Sequence, residues 1–189
     1  MEYFKEFVMP SLVTDVQSVF WEHIFPLGQY NRNQSLKNVH IGPNRIEHRA
    51  MNDLIKKYPF LTQQLLVFTL PPNFATNIHI DGLGDETTPR KFSCNIPIEG
   101  CNGKCITEFF EYDDEKFVAD VPSTTRFLRP GNELTKLAEY NLTVNPILTN
   151  TQMPHRVNNR ANSVKRISVS WTIDHVNWTW DKIANSVAV

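Results

Sequence analysis

His79 and Asp81 stand two positions apart in the run FATNIHID, which reads as an extended segment ending at Gly82. Side chains at i and i+2 of an extended chain point the same way. The imidazole and the carboxylate can therefore address one ion. A second imidazole, His155, comes much later in MPHRVNN, at the head of a short predicted strand before the turn-like Asn158-Asn159. Two imidazoles and one carboxylate suit iron(II) and leave half of an octahedron open to other ligands. Eleven positions beyond His155 comes Arg166, and Ser168 follows on the same face of its strand. A guanidinium holds a carboxylate through two parallel charged hydrogen bonds, and a neighbouring hydroxyl adds a third donor. Arg166 and Ser168 are thus suited to the distal end of a dicarboxylate.

These residues need a scaffold that brings four distant stretches together. From residue 62 onward short apolar or alternating runs recur: QQLLVFTL, FATNIHI, KFSCNIPI, KCITEFFEY, KFVADV, TTRFL, NPILT and KRISVSWTI. Many short strands separated by Gly, Pro, Asn and Asp predict a β-sandwich or barrel. Residues 131–140, GNELTKLAEY, read as a short helix or an irregular crossing. Apolar residues at helical spacing predict helices over 10–26 and 46–58, closed by Pro26 and Pro59, and the C-terminal WTWDKIANSVAV reads as a last helix.

The strand 165–173 carries both halves of the argument. Arg166, Ser168, Ser170 and Thr172 lie on one face; Ile167, Val169, Trp171 and Ile173 lie on the other. The apolar face needs a cover, and the amphipathic helix at 10–26 is the candidate. The polar face fits the lining of a ligand cavity inside a barrel. Asn95 and Thr107 lie on strands able to face the same cavity.

The ordered pattern His79-Ile80-Asp81, then His155, then Arg166-Ile167-Ser168, resembles the signature of the Fe(II)/2-oxoglutarate-dependent dioxygenases. The strand NIPI after the first motif and the PH-x-V turn around His155 agree with it. The resemblance covers roughly residues 62–175. It implies a mainly β fold with flanking helices, a double-stranded β-helix (jelly-roll, cupin-like) core packed by N-terminal helices. It also implies His79, Asp81 and His155 as ligands of Fe(II), and Arg166 and Ser168 as contacts of the co-substrate 2-oxoglutarate; Asn95, from its place on a cavity-facing strand, is a further candidate contact. The implied reaction is hydroxylation of an unactivated carbon with release of succinate and CO2. The alternative is a non-catalytic cupin-like protein that binds metal or 2-oxoglutarate.

Within that family, the nucleic-acid repair branch carries a second arginine six positions beyond the anchor. Thr172 stands there, and the net charge is -1 with no basic stripe, so a nucleic-acid partner is disfavoured. Arg166, not lysine, separates the chain from collagen-type prolyl hydroxylases, and Asp81 separates it from the halogenating branch. The substrate is either a small molecule or a peptidyl residue; oligomeric state is not readable. The loop 82–91 follows the ligands and has the composition of either a lid or a plain surface loop.

The remaining histidines, His23, His40, His48 and His175, read as structural or surface residues. Cys94, Cys101 and Cys105 match no paired zinc pattern and read as reduced thiols. No secretory signal or membrane-length apolar run is visible, which predicts a cytoplasmic protein. One domain over 1–189 is the simplest organisation. It has a helical N-terminal extension over 1–61 and a catalytic core over 62–175.

Overall fold

The computed structural model describes residues 3–27, 37–38, 46–81, 91–119, 125–173 and 176–186. In chain order the elements are β1 (Phe4–Glu6), α1 (Pro10–Val19), β2 (Lys37–Asn38), α2 (Ile46–Lys57), β3 (Leu61–Leu70), β4 (His79–Ile80), β5 (Phe92–Glu99), β6 (Ile106–Phe110), β7 (Phe117–Ala119), β8 (Arg126–Leu128), β9 (Lys136–Asn141), β10 (Ile147–Asn150), β11 (His155–Asn158), β12 (Arg166–Ile173) and α3 (Trp180–Ser186). The described strands form two antiparallel six-stranded sheets. One is ordered β1-β10-β5-β12-β3-β2 and the other β7-β8-β4-β11-β6-β9. The chain crosses between them from β3 to β4, β4 to β5 and β5 to β6, then again at each step from β9 through β12. This alternation is the double-stranded β-helix.

Strand β12 sits at the centre of the first sheet, between β5 and β3. All eight of its residues are buried. Its apolar side packs under α1. Leu12, Val13, Val16, Phe20 and Ile24 join Val169, Trp171 and Ile173 in one core with Leu65, Val67 and Ile96. The amphipathic pattern of 10–26 therefore buries the face it was expected to bury. Pro10 opens α1, where its missing N–H costs nothing. The helix continues as a π turn over Phe20–Ile24 and ends in a 3-10 turn at Phe25–Leu27 that holds Pro26.

Three polar contacts fix this layer. Gln17 Nε2 donates to Pro97 O at 2.9 Å, tying α1 to β5. Asp15 accepts from Tyr58 Oη at 2.7 Å and pairs with Lys57 Nζ at 2.6 Å, tying α2 to α1. The N-terminal region also supplies strands: β1 pairs with β10 and β2 with β3, so both edges of the first sheet are capped.

Residues 131–140 are not helical. They run into β9, which pairs with β6 over Ile106↔Asn141 to Phe110↔Lys136. The pairing partner decides here: β6 offers an open edge, and Ala138 and Tyr140 alternate inward while Leu137 and Glu139 face water. Within the C-terminal segment, Trp180–Ser186 is helical as α3. Residues His40 and His175, and the 82–90 part of the loop read as a lid, lie outside the described residues, as does the His48 side chain. Cys94 and Cys105 are buried, Cys101 is partly so, and all three are free thiols. No helix among the described residues is long and apolar enough to cross a membrane.

Trp171 is 1 % exposed, and its indole N–H donates to Thr62 O. Trp171→Ala should lower stability by about 3–5 kcal/mol, the range for truncating a buried large aromatic. Denaturant unfolding measures it. A loss under about 1 kcal/mol would show that this face does not anchor α1.

Candidate metal and dicarboxylate site

Strand β4 is two residues long and is held on both sides. His79 pairs directly with His155 of β11 and with Phe127 of β8. Directly paired residues of antiparallel strands share a face, so the two imidazoles meet, with ring centroids 4.4 Å apart. Just past β4 the backbone of Asp81 is clamped from the turn after β10. Its N–H donates to Thr151 O at 3.1 Å, and its carbonyl accepts from Gln152 Nε2 at 2.7 Å. The carboxylate thus sits with Oδ1 3.5 Å from His79 Nε2. Ligand atoms of His79, Asp81 and His155 all lie within 4.8 Å of one another, a spacing that a single ion can bridge.

The imidazoles are oriented by the main chain. His79 Nδ1 lies 2.9 Å from Asn77 O, and His155 Nδ1 lies 2.9 Å from Met153 O. A carbonyl only accepts, so each Nδ1 carries the proton. In a neutral ring Nε2 then holds the lone pair, the tautomer a metal requires. The donor set therefore fits iron(II): two imidazole nitrogens and one carboxylate, with their orientation fixed from behind.

The other end of the cavity is built by β12. Arg166 is 3 % exposed and opens the strand opposite Leu70. Its Nη1 donates to Cys105 Sγ at 3.2 Å, and its Nε has no hydrogen-bond partner. Among the described residues no carboxylate pairs with it. The backbone just before it is pressed against Gly100, where an added Cβ would stand 1.9 Å from Lys165 O and where φ is +67°. Only glycine meets both conditions. A buried guanidinium with an unmet donor and no counter-charge is costly and calls for an anion.

Both ends open on one cavity of about 570 Å³, mouth included, between the two sheets. His79, Asp81, His155, Arg166, Ser168 and Asn95 all line it, as do Thr107 and Ser170. Thr172, on the same parity, does not. Asn95 is held in a side-chain network: its Nδ2 donates to Tyr140 Oη at 3.0 Å and to Thr149 Oγ1 at 2.7 Å, and those two oxygens are 3.0 Å apart. Both amide hydrogens are thereby engaged. Tyr140, Thr149 and Cys105 were not reached from sequence. Tyr140 lay in the segment read as helix or crossing, and the Cys105 contact joins residues 61 apart in the chain.

No protein-family model matches the chain. No curated protein matches it either. Among solved structures it is similar to the non-heme alpha ketoglutarate dependent epimerase SnoN from nogalamycin biosynthesis. That match has 10 % identity and a TM-score of 0.50, and it covers 90 % of this chain and 75 % of that one. It is also similar to a prolyl-4-hydroxylase of Pseudomonas putida, with 14 % identity, a TM-score of 0.48 and 92 % of each chain covered. At 10 % identity the likeness to the epimerase is one of fold.

Behind His155, on the other face of the sheet, Arg156 Nε pairs with Glu108 Oε2 at 2.6 Å, and Asn158 donates to the same oxygen at 3.2 Å. Burial alone would raise the Glu108 pKa, but Arg156, Asn158 and Lys136 together hold it below the ordinary 4.5. A depressed carboxyl stabilises the fold above its unfolded value and loses that effect as pH falls through the folded one. Glu108→Gln should therefore cost about 1 kcal/mol at pH 7, since Arg156 stays partly hydrated. The loss should shrink as pH drops below 4.5, the unshifted value. Thermal unfolding across pH 3–7 checks it; a pH-independent difference would remove the ion pair as the cause.

Proposed function

We propose that this protein is an Fe(II)- and 2-oxoglutarate-dependent oxygenase that hydroxylates an unactivated carbon of a small molecule or peptidyl residue, releasing succinate and CO2. The observation that carries this reading is the uncompensated Arg166 guanidinium in the same cavity as the His79–Asp81–His155 cluster. A purely structural metal site would have no need of a buried, unpaired cation.

On this reading His79, Asp81 and His155 hold iron(II), and the metal with 2-oxoglutarate supplies the oxidising chemistry. The protein's own part is orientation and exclusion. Asn77 O and Met153 O hold the imidazole tautomers. Asp81 places one negative charge against the metal. Arg166 receives the distal carboxylate of 2-oxoglutarate through charge-assisted hydrogen bonds, meeting the donor left open at Nε. Ser168, on the same strand face, is a second donor to that carboxylate. Asn95 acts by holding Tyr140 and Thr149, since both of its N–H groups are engaged there. Buried walls on β5, β10 and β12 keep bulk water from the reacting carbon. The whole chain forms one domain, with residues 62–175 as the catalytic core. The net charge of -1 favours a substrate other than nucleic acid.

His79→Ala, Asp81→Ala and His155→Ala should each abolish stable iron binding in folded protein, read by metal analysis. Full iron content in His155→Ala would remove it from the ligand set. Arg166→Ala removes one partner of a desolvated charge pair, which commonly costs about 2–5 kcal/mol. The dissociation constant for 2-oxoglutarate should then rise by roughly 30- to 4,000-fold while iron affinity changes little. Arg166→Lys should recover only part of this, because an ammonium lacks the fork. Succinate release with iron(II), ascorbate and oxygen separates an enzyme from a binding protein. Tight 2-oxoglutarate binding with no succinate above background across a substrate panel would favour a non-catalytic cupin-like role.

A further inference from the structure

The hairpin β7–β8 is inserted between β6 and β9, yet it pairs with neither. It returns to the opposite side of the sheet and adds to β4. The register places His79 opposite Phe127 and Phe127 opposite Val118. Paired residues share a face, so these three form a row on the face that carries the metal cluster. With strands about 4.8 Å apart, the row runs roughly 10 Å outward from His79. The Phe127 ring lies 5.9 Å from the His79 ring. Phe127 is partly exposed and Val118 is 46 % exposed, whereas Phe117 on the hairpin's other face is 2 % exposed. Single exposed apolar side chains are ordinary. A row of them that begins at a metal-ligand residue is not.

Charge is absent from this row. Arg126 lies on the other face, paired to Asp114 at 2.6 Å. Arg129 donates to Phe117 O at 3.2 Å. Among the described residues that line the cavity, the carboxylate and guanidinium groups are those of Asp81 and Arg166, both already assigned to metal and co-substrate.

We propose that the row His79–Phe127–Val118 is the substrate platform, and that the substrate is a neutral small molecule whose apolar ring lies against Phe127. The assignment rests on the oxygenase reading above and narrows its substrate class. Among the described residues, a charged group brought beside Phe127 meets no unassigned counter-charge on this row or in the cavity lining. A ring gains from stacked or edge contact with the phenyl group, which a flexible chain cannot match. Ordered along the row, the ring has its inner edge at the metal cluster and its outer edge over Val118.

The test uses the full chain loaded with manganese(II), as an inert stand-in for iron, and with saturating 2-oxoglutarate so that Arg166 is occupied. Three probes share one ring and differ in charge: benzyl alcohol, benzoate and benzylamine. Ligand-observed NMR gives contact from saturation transfer and nearness to the metal from paramagnetic broadening. Benzyl alcohol should show both effects, with affinity about tenfold or more above either charged probe, a difference of about 1.4 kcal/mol. Phe127→Ala should weaken its binding. Val118→Asp, at an exposed position the fold tolerates, should turn the preference towards benzylamine.

Benzoate or benzylamine binding as well as benzyl alcohol would overturn the proposal. So would an unchanged probe order in Val118→Asp. Water-proton relaxation reports manganese binding separately. If manganese fails to bind while saturation transfer from benzyl alcohol persists, the platform stands and the metal-dependent reading falls. If manganese and 2-oxoglutarate bind and benzyl alcohol shows no transfer, the platform alone falls.

Discussion

A guanidinium buried with no carboxylate partner among the described residues is the constraint around which the molecule is arranged. Moving such a charge out of water costs several kcal/mol, and the neighbouring thiols of Cys105 and Cys101 offset little of it. The fold must therefore hold Arg166 in place by other means. It does so by making it the first residue of the most enclosed strand. β12 lies between β3 and β5, and its register with β5 shifts between Ile167 and Ser168, where Gly100 presses on the backbone of Lys165. The alternate residues Val169 and Trp171 lock into the core beneath α1. Core packing and site geometry are thus two faces of one strand.

The metal cluster depends on the opposite sheet. β4 is too short to hold a register alone, so β8 and β11 fix it from both edges, and the turn at Thr151–Gln152 fixes the residue just beyond it. The two anchoring ends of the cavity thereby belong to different sheets. A ligand that engages both must carry a functional group at each end, and the separation of the sheets selects its length. That division suits the dicarboxylate proposed above.

Much of this was legible in the sequence because it rests on parity. The period-two alternation of 165–173 separated Arg166 from Trp171, and the same rule put His79 and Asp81 on one side. Neither inference needs a partner strand. What stayed hidden depends on partners. Leu134, Leu137 and Tyr140 stand three apart and imitate a helical stripe, so 131–140 did not declare itself a strand until β6 offered its edge. Tyr140 and its contacts with Asn95 and Thr149 were hidden with it. The runs KFVADV and TTRFL hold the strands Phe117–Ala119 and Arg126–Leu128. Their return to β4 was not legible, because a hairpin's long-range register leaves no periodic trace in its own residues. β1 has three residues, too few for any period to show.

The charges of the proposed complex explain why the lining carries one acid and one base. In the empty cavity Asp81 and Arg166 sum to no net charge, but they stand at opposite ends and do not pair. A divalent metal alone leaves an excess of two positive charges in a space of low dielectric. A dicarboxylate alone leaves an excess of two negative ones. Together they restore neutrality, with the metal against Asp81 and the distal carboxylate against Arg166. In a partly desolvated cavity such an imbalance is worth far more than in water. Each ligand therefore raises the affinity of the other, and by thermodynamic linkage the factor is the same in both directions. A neutral substrate entering afterwards meets a site whose charges are already balanced, and it is recognised by shape and apolar contact instead.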